Sequence, residues 1–213
     1  MNKFIKKYNL IIFDFDGVIK NSLEVKSKAF ERLFESYGKL ITKKIKSHHK
    51  KNEGLSRYKK IPIYLSWVNE DLSKKNVNKF CNRYSKLVFY QVIKSTWVPG
   101  IKVFLRKNPY KQIFSIVTAT PEKEIIKIVL NLNIRKHFKI IKGSPTSKSK
   151  LIKIILKKYK INPNKALMIG DTLTDYVAAK TNKVEFIFRK TDYNSMIIKK
   201  YNKKFIRNFY NFV

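Results

Sequence analysis

With a single cysteine, Cys81, the chain can form no internal disulfide, which fits a reducing cytoplasm. Acid is also scarce: 14 Asp and Glu stand against 48 Lys and Arg, a formal net charge of +34. Long apolar runs are missing. The run Leu10–Phe13 stops at Asp14, far short of the ~20 residues that cross a bilayer, so no membrane span is expected. Lys3, Lys6 and Lys7 precede that run, but no small-residue cleavage site follows, and the mature chain is expected to begin at or near Met1. Glycine is limited to six positions, and there is no internal repeat or low-complexity linker.

What remains is enough for a folded enzyme. Hydrophobic residues make up 44% of 213 positions, which excludes a disordered chain and suits one domain, or one domain carrying a smaller insertion. The lysines are spread over almost every predicted helix, beside abundant Ile, Asn, Tyr and Phe. The charge therefore reads as compositional drift, and nucleic-acid binding as the minor alternative. A basic surface still steers small phosphorylated molecules inward.

Short apolar runs alternate with helical patterns, which predicts an α/β fold around a parallel, Rossmann-like sheet. Five strands are predicted: Leu10–Phe15, Ile113–Thr118, Phe138–Ile141, Ala166–Ile169 and Val184–Phe188. One helix is capped by Asn21 or Ser22 and closed by Gly38, a second opens at Pro121 with Glu122 and Glu124 in its first turn, and a third spans about Ser149 to Tyr159. Between residues 20 and 97 the alternation fails. Only helical segments appear there, so that stretch is expected to be a helical cap inserted into a core made of residues 1–19 and 98–213, with Val98-Pro99-Gly100 marking the return.

Two acidic clusters follow predicted strands. In Asp14-Phe15-Asp16-Gly17 the two carboxylates are two residues apart in extended chain and project the same way. In Gly170-Asp171-Thr172-Leu173-Thr174-Asp175 the two aspartates are four apart and share a face if a helix begins there, here expected as Thr172–Lys180. Each cluster alone could be a turn or a helix cap. The chain has only six aspartates, however, and four of them fall in these clusters. Capping needs no carboxylate where Ser, Thr or Asn would serve, so the concentration points to a hard cation, most plausibly Mg²⁺. Thr118 ends its predicted strand and could hold a phosphoryl oxygen or simply cap a helix. Lys148 and Lys150 stand at the head of the third helix, where an ammonium could neutralise phosphate.

Taken in order along the chain, these pieces resemble the haloacid dehalogenase-like (HAD) phosphohydrolase superfamily. Asp14-Phe15-Asp16-Gly17-Val18 resembles its first motif, Thr118 the second, a lysine near 148 the third and Gly170-Asp171-x-x-x-Asp175 the fourth. Asn21-Ser22 and Val98-Pro99-Gly100 resemble the capped subgroup that includes phosphoglycolate phosphatase and β-phosphoglucomutase. The resemblance implies Asp14 as nucleophile, Asp16 as acid and then base, and Mg²⁺ held by Asp14, the Asp16 carbonyl and Asp171. It also implies that Asp175 orders the metal's waters or the lysine, and that Thr118 and the lysine grip the phosphoryl group. Lys148 is preferred to Lys150 because it sits just before the helix, although Ser144–Lys150 stands where capped relatives carry Lys-Pro-x-Pro. An acid at Asp16 separates phosphatases from the superfamily's dehalogenases, and the lack of spans excludes a P-type pump.

Within the cap, Gly54-Leu55-Ser56-Arg57 resembles a Gly-Val-Ser-Arg stretch of β-phosphoglucomutase, which implies Arg57 as a ligand for a distal phosphate or carboxylate; it could equally be a surface charge. His48 and His49 are expected on a solvated helix face, Tyr64, Leu65 and Trp67 in the cap core, and Trp97 at the joint between cap and core. The expected substrate is a small phosphorylated metabolite: a sugar or sugar-acid phosphate, or phosphoglycolate. The rivals are a phosphomutase using the same Asp14 and a basic nucleic-acid-binding protein on an inactive fold.

Overall fold

The computed structural model describes residues 2–212. In chain order the elements are α1 (Asn2–Lys6), β1 (Leu10–Phe13), α2 (Leu23–Leu33), α3 (Lys39–Lys51), α4 (Arg57–Ser66), α5 (Lys74–Lys94) and α6 (Ile101–Lys107). They continue as β2 (Ile113–Pro121), α7 (Glu122–Asn131), β3 (Ile140–Ser144), α8 (Lys148–Lys158), β4 (Ala166–Gly170), α9 (Leu173–Thr181), β5 (Glu185–Arg189), α10 (Ser195–Lys200) and β6 (Phe205–Ile206). The strands form one parallel sheet in the order β3-β2-β1-β4-β5-β6. It has six strands, one more than the sequence suggests, because β6 is a two-residue edge strand too short to leave a pattern.

β1 and β4 are buried along their whole length. Their sequences are continuously apolar because both faces of a parallel sheet are covered. The alternation of the pleat still sorts them: Ile11, Phe13, Leu167 and Ile169 pack into one apolar cluster, and Leu10, Ile12, Ala166 and Met168 into the other. Each fully buried aliphatic or aromatic side chain contributes roughly 1.5–3 kcal/mol, so the central strands anchor the fold. An aromatic group formed by Phe13, Phe104, Phe114 and Phe209 closes one face, and Phe209 N–H bonds the Pro99 carbonyl at 2.9 Å, tying the chain's end to the start of α6.

Helices α2–α5 interrupt the alternation between β1 and β2, and no strand lies among them in the described residues. The chain leaves at Lys20 and returns at Trp97, and the two crossings run side by side: Asn21 N–H bonds the Thr96 carbonyl at 2.9 Å and Val98 N–H that of Ile19 at 3.1 Å. Lys20 seals this joint, with its ammonium 4.3 Å from the Trp97 ring centroid and 3.0 Å from the Ile93 carbonyl. Tyr64 and Leu65 are in the interior of the helical layer, with Trp67 half-buried against them.

Several local expectations shift. Ser22 is the residue before α2, but its hydroxyl makes no capping bond; α2 stops at Leu33, and Gly38 precedes α3. β2 runs on to Pro121, so Thr118 lies within the strand, and β3 and β5 sit later in sequence than expected because their first residues serve as connections. α9 starts after Thr172, whose hydroxyl and Asp175 form a reciprocal capping box.

Candidate active site

β1 and β4 are neighbours at the point where the strand order reverses, and a parallel sheet places its sites at the carboxyl ends there. Asp14 follows β1, with its N–H bonded to the Ile169 carbonyl of β4 at 2.9 Å, so the first acidic cluster is stitched to the second. Gly17 permits the approach. It has φ +77°, and a Cβ there would overlap Asp171 Oδ2. One oxygen from each of Asp14, Asp171 and Asp175 lies within 4.8 Å of the others, and all three side chains are buried.

Such a cluster is unstable without positive charge. Lys148, the first residue of α8, supplies part of it. Its Nζ lies 3.1 Å from Asp14 Oδ2 and 2.6 Å from Asp175 Oδ1. Burial disfavours the ammonium, but Asp14 and Asp175 outweigh burial and hold it firmly protonated. Lys150 is exposed, its backbone N–H bonds the Ser147 hydroxyl, and no carboxylate lies within ion-pair distance of it among the described residues. One lysine does not suffice. Burial, opposed by Lys148 and reinforced by Asp175 and Asp16, pushes Asp14 up to about 7. Burial and then Asp14 raise Asp171 well above the carboxylate range. Asp14 Oδ1 and both Asp171 oxygens are buried without a hydrogen-bond partner. Three orphaned oxygens in an acidic cluster fit a hard divalent cation with a preference for oxygen ligands, the chemistry of Mg²⁺.

Asp16 sits in different surroundings. Its Oδ1 accepts from the Ser22 hydroxyl at 2.6 Å, and its Oδ2 from Thr120 Oγ1 at 3.2 Å and from the Lys26 ammonium. Burial works to raise this carboxyl, but Lys26 and the three hydrogen bonds prevail and hold it below its usual range. Two carboxylates two residues apart are thus driven in opposite directions. Thr118 is buried beside them on β2, with its Oγ1 accepting the Thr120 N–H at 3.2 Å.

Asp14, Asp16, Thr118, Lys148, Asp171 and Arg57 all border one inner cavity of about 40 Å³, roofed by the helical layer. Arg57 opens α4, and its planar fork is already occupied: Nη1 and Nη2 bond Glu124 Oε2 and Oε1 of α7 at 2.8 and 2.6 Å, and Nη1 also donates to Ser85. Arg57 is therefore not a surface charge. It clamps the helical layer to the sheet layer. His49 is likewise buried and not on a solvated face: it shares the inward stripe of α3 with Ile45 and meets Lys60 Nζ at 2.8 Å. His48 is half-buried, with Nδ1 3.1 Å from the Tyr64 hydroxyl.

A larger groove of about 430 Å³ adjoins the inner cavity, bounded by residues 50–56 on one side and residues 144–149 and 171–174 on the other. Glu53, Gly54 and Leu55 border both spaces from the helical side, a partition loop facing Thr118, Lys148, Asp171 and Thr172, which border both from the sheet side. Gly54 is pressed against the second acidic loop: an added Cβ would overlap Thr174 Oγ1 and come within 2.6 Å of Thr172 Oγ1. Lys26 and Thr120 join the site without a signal of their own in the sequence, since lysines and hydroxyls are common there, and Ser22 and Glu124, expected only as helix-end residues, are drawn into it as well. Lys26 and Thr120 are 94 residues apart, and Arg57 and Glu124 67.

Known proteins share this fold. A curated phosphorylated carbohydrates phosphatase from Thermotoga maritima is 26% identical over 186 residues, which is 84% of this chain and 83% of that protein. CbbY from Rhodobacter sphaeroides, solved in complex with xylulose-1,5-bisphosphate, shares the fold with a TM-score of 0.77 at 14% identity over 95% of both chains. A predicted phosphoglycolate phosphatase from Haemophilus somnus shares it with a TM-score of 0.74 at 17% identity, also over 95% of both. The sequence model for haloacid dehalogenase-like hydrolases matches residues 11–188, the stretch that carries both acidic loops, the lysine and the helical insertion, and the chain belongs to that family.

Proposed function

We propose that this phosphatase is Mg²⁺-dependent and hydrolyses small phosphorylated metabolites, a sugar or sugar-acid phosphate or phosphoglycolate, through an aspartyl-phosphate on Asp14. The observation that carries the reading is the pairing of Asp14 with Lys148 beside the orphaned oxygens of Asp171. The substrate class is supported by the Thermotoga maritima relative's phosphorylated carbohydrates.

Asp14 Oδ attacks phosphorus, and the bond to the leaving alcohol breaks. Asp16 donates its proton to the departing oxygen, then takes one from the water that attacks the acyl phosphate, which frees Asp14 and releases inorganic phosphate. Thr118 Oγ1 and Lys148 Nζ hold phosphoryl oxygens, and Asp175 keeps Lys148 in place. Asp14, Asp171 and the Asp16 carbonyl would hold Mg²⁺, with Asp175 ordering its waters or the lysine. When bound it supplies the charge that keeps Asp14 ionised and screens the anionic phosphoryl group.

The inner cavity has room for only a few water molecules, too little for a sugar phosphate, so substrate enters with the helical layer displaced. Residues 20–97 form the cap, 1–19 and 98–213 the core, and the paired crossings at Lys20 and Trp97 the hinge. Opening withdraws Lys26 from Asp16 and lets Asp16 take up the proton it needs as an acid. Arg57 closes the cap side and borders the substrate.

The test is phosphate release with and without Mg²⁺ across sugar phosphates, phosphorylated sugar acids and phosphoglycolate, with Asp14→Asn as control. Mg²⁺-dependent release that disappears in Asp14→Asn is expected. Release that survives this substitution would sink the mechanism, and isomer formation without net phosphate would replace it with a mutase.

A further inference from the structure

Three cations of helices α2 and α4 border the inner cavity: Lys26, Arg57 and Lys60. Two of them are neutralised across the interface, Lys26 by Asp16 and Arg57 by Glu124. Lys60 is not. It is 2% exposed, and among the described residues no carboxylate lies within ion-pair distance of it. Its Nζ lies 2.8 Å from His49 Nδ1 and 5.1 Å from the Phe30 ring centroid, and donates to the Asn52 carbonyl at 3.2 Å.

The donors of this corner outnumber its acceptors. When Lys60 is charged, His49 Nδ1 must accept from it, which puts the imidazole proton on Nε2, and Nε2 is buried without a partner. The third hydrogen of the charged form of Lys60 also has no acceptor among the described residues. Uncompensated charge and unmatched N–H groups are costly in the interior and are kept where a ligand completes them.

The groups facing Lys60 come from every side. His49 belongs to α3, Lys26 and Phe30 to α2, the Asn52 carbonyl and Glu53 to the partition loop, Arg57 to the preceding turn of α4, and Asp16 to the far wall. Burial and then Lys26 push Lys60 down to about 7, while Glu53, within electrostatic reach but not in contact, is itself pushed up to about 7 by burial. Neither is a settled counterion for the other near neutrality.

We propose that Lys60 determines substrate specificity by pairing with a second anionic group, a carboxylate or phosphate, on the portion of the substrate that leaves with the alcohol oxygen. The inference rests on the phosphatase reading above. Position assigns the portion. Lys148 and Thr118, on the core side of the cavity, hold the transferring phosphoryl group. Asp16 meets the leaving oxygen, and Lys60 faces Asp16 from the cap side. Arg57, one helical turn away, has its fork filled by Glu124, which leaves Lys60 as the cation with capacity to spare.

The experiment compares kcat/KM, with Mg²⁺, for matched pairs that share a phosphomonoester and differ in one anionic group: glycerol 3-phosphate against 3-phosphoglycerate, and a pentose monophosphate against the corresponding bisphosphate. The wild type is expected to prefer the second member of each pair. Lys60→Met should reduce that preference about 10- to 100-fold, the worth of a hydrogen bond to a charged group, with the change in KM. Lys60→Arg should keep the preference and hold it flat above pH 7, where the wild-type preference declines tenfold per pH unit as Lys60 loses its proton. An equal fall for both members in Lys60→Met, or a wild type without preference, overturns the role of Lys60 while leaving the phosphatase intact. No Asp14-dependent release from any compound overturns the underlying reading. The carboxylate and bisphosphate arms tell which anion the site takes.

Discussion

The clamp between Arg57 and Glu124 makes a prediction that can be worked through in numbers. The pair joins α4 of the helical layer to α7 of the sheet layer, with both hydrogen bonds of the fork made and side-chain exposures of 3% and 9%. Removing the carboxylate in Glu124→Ala leaves the guanidinium buried with only Ser85 and the Tyr84 ring, 4.6 Å from its centre, as company. An uncompensated buried charge costs about 3–5 kcal/mol. If the cap could not open, that cost would fall on global stability and lower Tm by roughly 6–20 °C for a chain of this size. An opening cap instead lets Arg57 reach water, and the same free energy shifts the closure equilibrium a hundred- to several-thousand-fold toward open. The expected outcome is a small change in Tm, a large gain in hydrogen exchange along α4 and the facing part of α7, and a raised KM. The double substitution Arg57→Met with Glu124→Leu should recover most of the closed state, because a packed apolar pair can replace a buried ion pair. Single substitutions whose effects simply add in the double variant, with exchange at the interface unchanged, would refute the clamp.

Lys148→Met should lower kcat by about 100- to 1,000-fold, the scale seen when one preorganised charge donor is lost, whereas Lys150→Met should stay within about twofold; equal losses would overturn the assignment to Lys148. Gly54→Val should lower kcat/KM by roughly tenfold or more with little change in Tm, since overpacking of about 1–3 kcal/mol at Thr172 and Thr174 is relieved by lifting the partition loop, and wild-type kinetics would count against a closed-loop requirement. Metal-free protein should lose stability as pH rises from about 4 to 7. Asp14 is raised to about 7 in the fold, so over that window the native state binds more protons than the unfolded one, and unfolding free energy falls with pH. Millimolar Mg²⁺ should flatten this slope in Tm against pH, and a slope indifferent to Mg²⁺ would argue against a cation among these oxygens.

The four clustered aspartates could be read from the chain because two independent signals coincide in them: strand-like apolar runs immediately before, and the scarcity of aspartate everywhere else. The role of Lys148 was partly legible, since its place at a helix start could be inferred but its two carboxylate partners, 27 and 134 residues away, could not. Lys26, Lys60 and Glu124 were hidden for a physical reason. Their importance depends on how the inserted helices dock onto the sheet, and no local pattern encodes that. Among so many lysines, the one that faces an aspartate is indistinguishable from its neighbours until the chain is folded. His49 is a different kind of miss. It lies four residues after Ile45, so the two form the buried stripe of α3, and the period was there to be read; the basic residues around it made a solvated face look natural.

The placement of acid also bears on how so basic a protein admits its ligands. Asp14, Asp16, Glu53 and Asp171 border the inner cavity, and Asp175 and Glu124 bind the lysine and arginine that line it, so six of the 14 acidic residues serve this cleft. The surface around it is overwhelmingly positive. At physiological ionic strength the field of a distant lysine fades over about 8 Å, whereas the cluster's own oxygens lie within 4.8 Å of one another. A divalent cation near the cluster therefore feels the carboxylates more than the shell, despite a net charge of +34. A phosphorylated substrate experiences the reverse: it is drawn in by the shell and meets Lys148 at the cluster. Acid inside and base outside thus suit the cation and the phosphate by different routes. This arrangement also makes long-range capture the salt-sensitive part of kcat/KM, with the buried pairs of the closed site little affected by salt.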